Sequence, residues 1–535
     1  MERFLSRFAS SIGGVLSGFD RLVLSGQFLP LMYPRGMMGF LSRHQVLLKD
    51  FMGWAKERTE QVKSRFAEQA VGHGHEVRCL GSPSTRKEEL VRALQRESGV
   101  TSGVIGSLSC VEPCRTWDIR RDPVAKLLVP VLKQGNGLHL YRYWDHPRFG
   151  FMHVRLQTWF PFSVRVCLNG REFLRRQLDR SGIDYEMRDN CFAKIASWPR
   201  AQRLMDALVE EDWMTTLNKC VDSVFPDRKS LLGDLPYHWG VWQSEWASDV
   251  SFVDTAALDA VYLNLQRHAM LSADTPTVLR FYGRPVTAKG RANGHLQAEV
   301  TTRLIPRTEG TCIKHHVGRN SVKMYNKQGN TLRVETTIND PSDFKVYRRT
   351  QGGGFSKSWL TMRTSVADLH RRTEVSQGVN DRYLDHQANV LNDQPLQNLI
   401  NQVTKPVTWK NEHLRAIDLT GKDRWLIDLL NNPAHAVTRI PNADLRQRHP
   451  KHHGEKRTDR QLTASATRYL RLLRAHGIIK KISKTHRYQL TDHGRTLVTA
   501  MTSAQGTSIE IISAPMPYLA CSPKPADSRG GAEAD

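Results

Sequence analysis

Thr311–Asp340, TCIKHHVGRNSVKMYNKQGNTLRVETTIND, contains three short runs of alternating apolar and polar residues separated by two turn signals. The turn signals are Gly318-Arg319-Asn320 and Gln328-Gly329-Asn330, and Gly and Asn tolerate the positive φ that tight hairpins need. The stretch therefore predicts an antiparallel meander of three strands, and the rest of the chain is interpreted around it.

Alternation along these strands assigns their side chains to two faces. The predicted apolar face carries Ile313, Val317, Val322, Met324, Leu332, Val334 and Ile338. The opposite face carries Lys314, His316, Lys323, Tyr325, Lys327, Arg333 and Glu335. Directly opposed Cβ atoms are only about 5 Å apart, so this second face brings a tyrosine, a carboxylate, an imidazole and four cations together.

The charged face has two interpretations. It is either a solvated sheet surface on which the carboxylate pairs with cations across strands, or a site for a phosphodiester. In the second hypothesis the cations hold phosphate oxygens, the tyrosine is the nucleophile, and the carboxylate or the imidazole binds a metal or accepts a proton. The candidate catalytic residues are Tyr325, Glu335, His316, Lys323, Lys327 and Arg333.

Two segments of this meander resemble a strand pair of the rolling-circle plasmid and filamentous-phage replication initiators. The segments are KMYNK at 323–327 and LRVE at 332–335, which are similar to a pattern of an apolar residue, any residue, Tyr, Asp or Asn, and Lys, followed by Leu-Arg-x-Glu, with Lys323 at the apolar position. The resemblance covers about twenty residues and implies nicking of one DNA strand through the tyrosine. The chain departs from the pattern at Gln328-Gly329, where the initiators usually place an acidic residue.

A wider resemblance spans nearly all of the chain outside its tail. The chain resembles a widespread bacterial family whose members carry a C-terminal domain similar to that of MarR-like regulators. The segments that carry this resemblance are Phe19-Asp20-Arg21, 110–114, 155–159, 169–172, 243–246 and the block 311–340. It implies a domain layout and no activity.

Composition favours a polyanionic partner. The 535 residues include 77 Lys and Arg against 53 Asp and Glu, a formal net charge of +24. Neutralising phosphates releases condensed counterions, so an excess of this size indicates nucleic acid, with DNA as the predicted partner. No run of eighteen apolar residues occurs, which predicts no membrane span.

The cysteines and the first residues predict a cytoplasmic protein. The eight cysteines are scattered without a CxxC pair, a distribution typical of a reducing compartment, and a zinc site would need two ligands beyond Cys110 and Cys114. The first twenty residues have no unbroken apolar core and therefore predict no export signal.

The pattern of elements predicts an α+β protein. We expect an N-terminal multi-element α/β body with a mixed or antiparallel sheet, followed by a C-terminal winged helix-turn-helix domain. The predicted regions are 1–130 (N-terminal α/β), 131–350 (central α+β body with the sheet), 351–418 (helical linker), 419–505 (winged helix) and 506–535 (disordered tail).

A second carboxylate pair lies in a region that we predict to be mainly helical, residues 200–283. In WQSEWASD at 242–249, Glu245 and Asp249 are four residues apart, so on a helix they would share a face and could bind one Mg²⁺ or Mn²⁺. The alternative is a solvated pair of like charges on a helix surface.

The C-terminal region has the element order of a winged helix. Helices are predicted from 423 to 430, from about 441 and from 461 to 475, followed by a hairpin from 478 to 490 and a last helix. The predicted nucleic-acid-binding residues are Thr463, Thr467, Arg468, Arg471 and Arg474 on the long helix, and Lys484, His486 and Arg487 at the wing. The alternative is a winged helix that contacts protein.

Two functions follow from these patterns. The first is a DNA-binding protein of the mobile-element or plasmid-initiator kind, whose large body nicks DNA through a tyrosine with metal assistance. The second is a non-enzymatic MarR-like transcriptional regulator or nucleic-acid-binding protein. The body is several times larger than the predicted winged-helix domain, and this difference in size favours the first function.

Overall fold

The computed structural model describes residues 1–284, 300–349, 357–388, 396–431, 440–447, 458–482, 485 and 487–506. The chain forms an N-terminal unit, residues 1–286 with 292–391, and a C-terminal unit, residues 287–291 with 392–535. Helices and strands both contribute substantially, so the predicted α+β class is confirmed.

The N-terminal unit is built on one large sheet. Its strands, with two separate hairpins, are β1 (Ile12–Gln27), β2 (Val77–Leu80), β3 (Gly103–Arg121), β4 (Leu128–His146), β5 (Gly150–Gln157), β6 (Val164–Asn169), β7 (Tyr185–Arg188), β8 (Cys191–Ile195), β9 (His238–Phe252), β10 (Val300–Ile305), β11 (Cys312–Val317), β12 (Asn320–Lys327), β13 (Thr331–Ile338), β14 (Lys345–Arg349) and β15 (Lys357–Thr361). Eleven of them form a sheet in the order β10-β11-β12-β13-β9-β1-β6-β5-β4-β3-β2. Only β2 and β3 pair in parallel, so the sheet is mixed, as predicted.

The two halves of the sheet have the same chain connection. In each half a first strand is followed by helices and then by a four-stranded meander, and the last strand of the meander returns to pair with the first strand. The first strands, β1 and β9, pair with each other in antiparallel fashion at the centre. Residues far apart in the sequence therefore meet in the middle of the sheet.

Helices cover the apolar surfaces of the sheet and form two cores. They are α1 (Glu2–Arg7), α2 (Pro34–Arg43), α3 (Phe51–Gly72), α4 (Lys87–Ser98), α5 (Gly170–Arg180), α6 (Trp198–Asp206), α7 (Trp213–Asp222), α8 (Arg228–Leu232), α9 (Thr255–Ser272), α10 (Thr275–Phe281) and α11 (Leu369–Gln387). One core lies on β1 and β4–β6, and the second lies on β9 and β11–β13. All seven residues predicted for the apolar face of the 311–340 meander are buried in the second core, which confirms the predicted faces.

The meander itself has the predicted turns. The turn residues adopt positive φ values, which are 56° at Gly318, 60° at Gln328 and 86° at Gly329. Glycine accepts this left-handed region without strain. In the register, Lys323 pairs with Glu335 and Tyr325 with Arg333.

The predicted domain boundaries at 130 and 350 are wrong. The β3–β4 hairpin crosses residue 130, and β1 lies at the centre of the sheet that the later residues complete, so residues 1–350 do not divide there. The predicted linker 351–418 also divides differently, because α11 packs on β9 and β13 whereas the residues after 391 belong to the C-terminal unit. The triple glycine at 352–354 lies outside the described residues.

The C-terminal unit has the predicted order of elements. Its helices are α12 (Leu396–Val403), α13 (Arg424–Leu430), α14 (Asn442–Gln447), α15 (Asp459–Ala475) and α16 (Asp492–Gly506), and its strands are β16 (Val407–Trp409), β17 (Glu412–Leu414), β18 (Ile440–Pro441), β19 (Ile479–Lys481) and β20 (Arg487–Leu490). Three strands form a small sheet in the order β18-β20-β19. Leu470, Leu472 and Leu473 of α15 are buried in the core of this unit. The predicted disordered tail, apart from Gly506, lies outside the described residues.

Across the described parts of both units, no helix has the length and apolar character that a membrane crossing requires. The seven described cysteines are free thiols, and Cys521 is outside the description.

Candidate metal centre at the middle of the sheet

Carboxylates converge where the two halves of the sheet meet. The β1–β9 ladder shifts register between the pairs Phe19–Trp246 and Arg21–Glu245, so Asp20 is one extra residue in β1. Such a bulge re-aims the side chain that it carries. The Asp20 carboxylate accordingly reaches Glu245 of β9 and Glu335 of β13, and one oxygen from each of the three residues lies within 4.8 Å of the others.

This spacing fits a single divalent cation. Oxygens bound to one Mg²⁺ or Ca²⁺ at about 2.1–2.5 Å lie no more than about 4–5 Å apart. The three residues also supply only carboxylate oxygens, the ligand type that these hard cations prefer. We call Asp20, Glu245 and Glu335 the carboxylate cluster.

The predicted pairing of Glu245 with Asp249 is wrong. Residues 238–252 form strand β9 rather than a helix, so residues four apart share a face but lie about 13 Å from each other. Trp246, Ala247 and Ser248 belong to a strand that is buried on both faces, whose sequence lacks the clean alternation that would distinguish it from a helix. The carboxylates near Glu245 are therefore Asp20 and Glu335 instead of Asp249.

Asp249 is instead neutralised by two buried arginines. Its Oδ1 accepts from Arg333 Nε at 2.6 Å, and its Oδ2 lies 2.8 Å from Nη2 of Arg171. Burial alone would raise the pKa of Asp249, but these guanidinium groups hold it below its usual range. Asp249 therefore does not need a metal ion.

Arg333 is a structural residue and not the phosphate ligand that we predicted. Its guanidinium donates to Asp249, to Asp20 Oδ1 at 3.0 Å and to the Asn190 carbonyl at 2.9 Å, and the residue is only 1% exposed. Every part of the guanidinium is occupied by protein. The arginine fixes the Asp20 carboxylate in the cluster, which is a positioning role.

Tyr325 contacts the cluster through Glu335. Its hydroxyl donates to Glu335 Oε2 at 3.0 Å, and Lys323 Nζ lies 2.8 Å from Glu335 Oε1. Burial and the neighbouring Glu335 raise the pKa of Tyr325 well above its usual value. The ring is only 4% exposed, and the Arg307 guanidinium lies 4.3 Å from its centroid. A polar side chain from the segment before β11 therefore forms part of the cover over the phenol.

The other two predicted catalytic residues lie away from this contact. His316 pairs with Ser321, whereas Tyr325 is four residues farther along β12, about 13 Å away. Lys327 is on the same face as Tyr325 and forms an ion pair with Asp189 at 2.7 Å. The imidazole is therefore not placed to act on the tyrosine, while the lysine lies at the rim of the site.

The cluster opens on a cleft of about 630 Å³. Asp20, Glu245 and Lys327 line the cleft, and Arg92 and Arg96 of α4 lie on its other side. A phosphate in this cleft would meet cations as well as the metal ligands.

A second group of potential metal ligands lies in the same cleft. The group consists of Glu88, His153 and Cys167, and one ligand atom of each residue lies within 4.8 Å of those of the other two. Arg21 already pairs with Glu88 at 2.8 Å, and burial lowers the pKa of His153 to about 3, which keeps the imidazole neutral. The carboxylate cluster is the better candidate for Mg²⁺ or Mn²⁺, because its three residues are all carboxylates, whereas this group combines one carboxylate with an imidazole and a thiol.

Glu245 is the carboxylate of the cluster that lacks a salt bridge within the described chain. Gln243 donates to its Oε1 at 2.6 Å, but no Lys or Arg of the described residues lies within ion-pair distance. Burial and the nearby Glu335 raise the pKa of Glu245 to about 7. A partly buried carboxylate with an elevated pKa gains from a bound cation, and this gain favours metal binding.

This shift predicts a pH dependence of stability in the metal-free protein. Between pH 4.5, the ordinary pKa of a Glu side chain, and about pH 7, folded Glu245 retains a proton that the unfolded chain releases. The free energy of unfolding should therefore fall as pH rises through this range, by up to about 1.4 kcal/mol per pH unit. Urea unfolding in EDTA checks this, and Glu245→Gln should flatten the slope. An unchanged slope in the variant would contradict the assignment.

The predicted nucleic-acid-binding residues have different environments in the C-terminal unit. Thr463, Thr467 and Arg468 are exposed on α15, and Arg487 is exposed on β20. Arg471 forms an ion pair with Glu412, and Arg474 lies over the Trp409 ring at 5.0 Å, so these two also contact the β16–β17 hairpin. The remaining predicted residues, Lys484 and His486, lie outside the described residues.

No family model, curated protein or solved structure matches the chain.

Proposed function

We propose that this protein binds DNA through its C-terminal unit and cuts one DNA strand by divalent-metal-dependent chemistry at the carboxylate cluster. The observation that carries the proposal is Glu245, a partly buried carboxylate without a salt bridge among the described residues, placed beside Asp20 and Glu335 at a cleft that both acidic and basic side chains line. The net charge of +24 supports a polyanionic substrate.

The tyrosine beside the cluster supplies the nucleophile. In the proposed step the Tyr325 hydroxyl gives its proton to Glu335 Oε2 and its oxygen attacks phosphorus. The bond from phosphorus to the 3′-oxygen breaks, that oxygen takes up a proton, and the products are a 5′-phosphotyrosine and a free 3′-hydroxyl end. A divalent ion held by Asp20, Glu245 and Glu335 would neutralise the charge that develops on the phosphate oxygens. Arg307 must leave the ring before the phosphate can approach.

A cleavage assay with matched carboxylate variants tests the metal centre. The full chain with Mg²⁺ or Mn²⁺ should cut single-stranded DNA, and Glu245→Gln should slow cutting by at least about 100-fold because a ligand charge is lost. Glu89→Gln is the control, since Glu89 lines the same cleft but pairs with Arg86 in an exposed position. Equal loss in both variants, or cutting in excess EDTA, would contradict the proposal.

DNA binding by the C-terminal unit is supported by its element order and by the exposed face of α15. A helix pair followed by a hairpin, with the sheet order β18-β20-β19, is the arrangement expected of a winged helix. In this arrangement the second helix of the pair, α15, enters the major groove.

Arg468→Ala should weaken binding of duplex DNA by about 5- to 100-fold and reduce its salt dependence by about one counterion. Arg468 is exposed and has no acidic partner among the described residues. Fluorescence anisotropy at several salt concentrations measures both quantities. Arg424→Ala removes an exposed arginine from α13 and should change neither. Equal effects of the two substitutions would point to unspecific charge attraction.

The second candidate is a non-enzymatic regulator. The cover over Tyr325 favours it, because a buried phenol with a raised pKa is a weak nucleophile. Duplex binding that depends on Arg468, without strand cutting under any divalent metal, would select this function.

A further inference from the structure

The β14–β15 hairpin of the N-terminal unit exposes two aromatic rings side by side. Tyr347 and Trp359 are directly opposed in the register, and their ring centroids lie 5.5 Å apart. They are 55% and 57% exposed, which is unusual for rings that bury about 150–250 Å² each in a core. The described chain therefore presents a two-ring surface to solvent.

Cations surround this aromatic pair on the same face of the hairpin. Lys345 and Lys357 are exposed at alternate positions from the rings, one on each strand. The Arg371 guanidinium lies 5.6 Å from the Trp359 centroid and also pairs with Glu374. The face thus combines flat apolar surfaces with positive charge.

The opposite face of the hairpin attaches it to the rest of the unit. Arg348 points to that side, where Asp368 accepts from it at 2.6 Å. After β15, the Thr364 carbonyl accepts from the Val241 amide of β9 at 2.6 Å. Glu245 lies four residues farther along β9, about 13 Å away. The hairpin is consequently attached beside β9, the strand that carries Glu245 of the carboxylate cluster.

We infer that Tyr347 and Trp359 form a stacking platform for unpaired bases of a single-stranded nucleic acid. Every base has a π-face that can stack on an aromatic ring, and neighbouring lysines can hold the phosphates between the bases. A duplex hides its base faces, so this surface selects single strands. The inference rests on the proposed function for the identity of the polymer, and it adds the place where the unpaired bases of that strand are held.

Binding of three probes by the full chain in EDTA tests the platform without any cleavage. The probes are an oligothymidylate, an abasic strand of the same length and a duplex of the same length, each followed by fluorescence anisotropy. The wild type should bind the oligothymidylate more tightly than the abasic strand. Trp359→Ala and Tyr347→Ala should each weaken oligothymidylate binding by about 5- to 150-fold and leave abasic-strand and duplex binding unchanged.

Conservative and distant variants separate stacking from loss of fold. Trp359→Phe should retain most of the affinity because it keeps a flat ring, and Tyr33→Ala should have no effect because Tyr33 is 62% exposed outside the hairpin. Equal affinity of the wild type for the two single strands would overturn the inference. So would displacement of oligothymidylate by polyglutamate at equal charge concentration, since that result would indicate an acidic protein partner.

The platform and the metal centre can fail separately. Glu245→Gln should bind oligothymidylate as tightly as the wild type, because the platform does not include the cluster. If the wild type cuts no strand but binds oligothymidylate more tightly than the abasic strand, only the proposed cleavage is refuted. If it cuts DNA but binds the two single strands equally, only the platform is refuted.

Discussion

Tyr325→Phe is expected to eliminate the covalent protein–DNA adduct completely. The substitution removes the only atom that the proposed step joins to phosphorus, while the ring and its packing under Arg307 remain. Incubation of the full chain with labelled single-stranded DNA and Mn²⁺, followed by denaturing electrophoresis, measures the adduct directly. The wild type should retain label on the protein, and the variant should retain none.

The same variant distinguishes two nucleophiles. Metal binding should survive, because Glu335 keeps its contact with Lys323 when the phenol hydrogen bond is lost. Isothermal titration with Mn²⁺ serves as the control for an intact cluster. Strand cutting that continues at the wild-type rate in Tyr325→Phe would show that water, activated at the metal, attacks the phosphate, and the tyrosine assignment would then be wrong.

Arg333→Met is expected to destabilise the N-terminal unit by about 3–5 kcal/mol, the usual cost of leaving buried charges without their partner. Arg333 is the shared partner of Asp20 and Asp249, and Asp249 is only 2% exposed. Folded domains are stable by only about 5–15 kcal/mol, so this loss is a large share of the total. Urea unfolding followed by tryptophan fluorescence measures it.

Lys327→Met is the matched control for this loss. It also replaces the cation of an ion pair on the same sheet face, but its partner Asp189 is largely exposed, so the expected cost is below about 1 kcal/mol. Adding Asp249→Asn to Arg333→Met should recover part of the stability because one buried charge disappears. Equal costs for the two methionine variants would mean that the Arg333 network is not the source of the stability.

Local alternation was sufficient to predict the 311–340 meander. The turns followed from Gly and Asn between the strands, and the buried apolar face followed from a period of two residues. The C-terminal elements were predictable for a similar reason, since their helices and hairpin are short, amphipathic and separated by turn residues.

The composition of the site could be predicted only in part. Glu335, Tyr325 and Lys323 share a face of one hairpin, which the sequence of that hairpin indicates. Asp20 and Arg171 were missed because nothing local shows that β1 and α5 meet β9 and β13. The one available signal is Asp20 in a strand whose only other charged residue is Arg21, because a buried carboxylate is costly unless it has partners.

The helix predicted around Glu245 failed because β9 has its neighbours on both sides and both faces covered. Its residues Trp246 to Phe252 are all buried, so polar and apolar positions do not alternate. A strand at the centre of a sheet therefore lacks the periodic signal that identifies strands with one solvated face.

The antiparallel contact between β1 and β9 brings together residues that are made at very different times during synthesis of the chain. Arg333 and its hydrogen-bond acceptor Asp20 are 313 positions apart in the chain. A nascent polypeptide in which β12 and β13 are not yet synthesised contains neither Tyr325 nor Glu335. Its earlier strands therefore cannot form the carboxylate cluster. Fragments released before β13 is synthesised therefore lack the carboxylate cluster and the tyrosine on which the proposed cleavage depends.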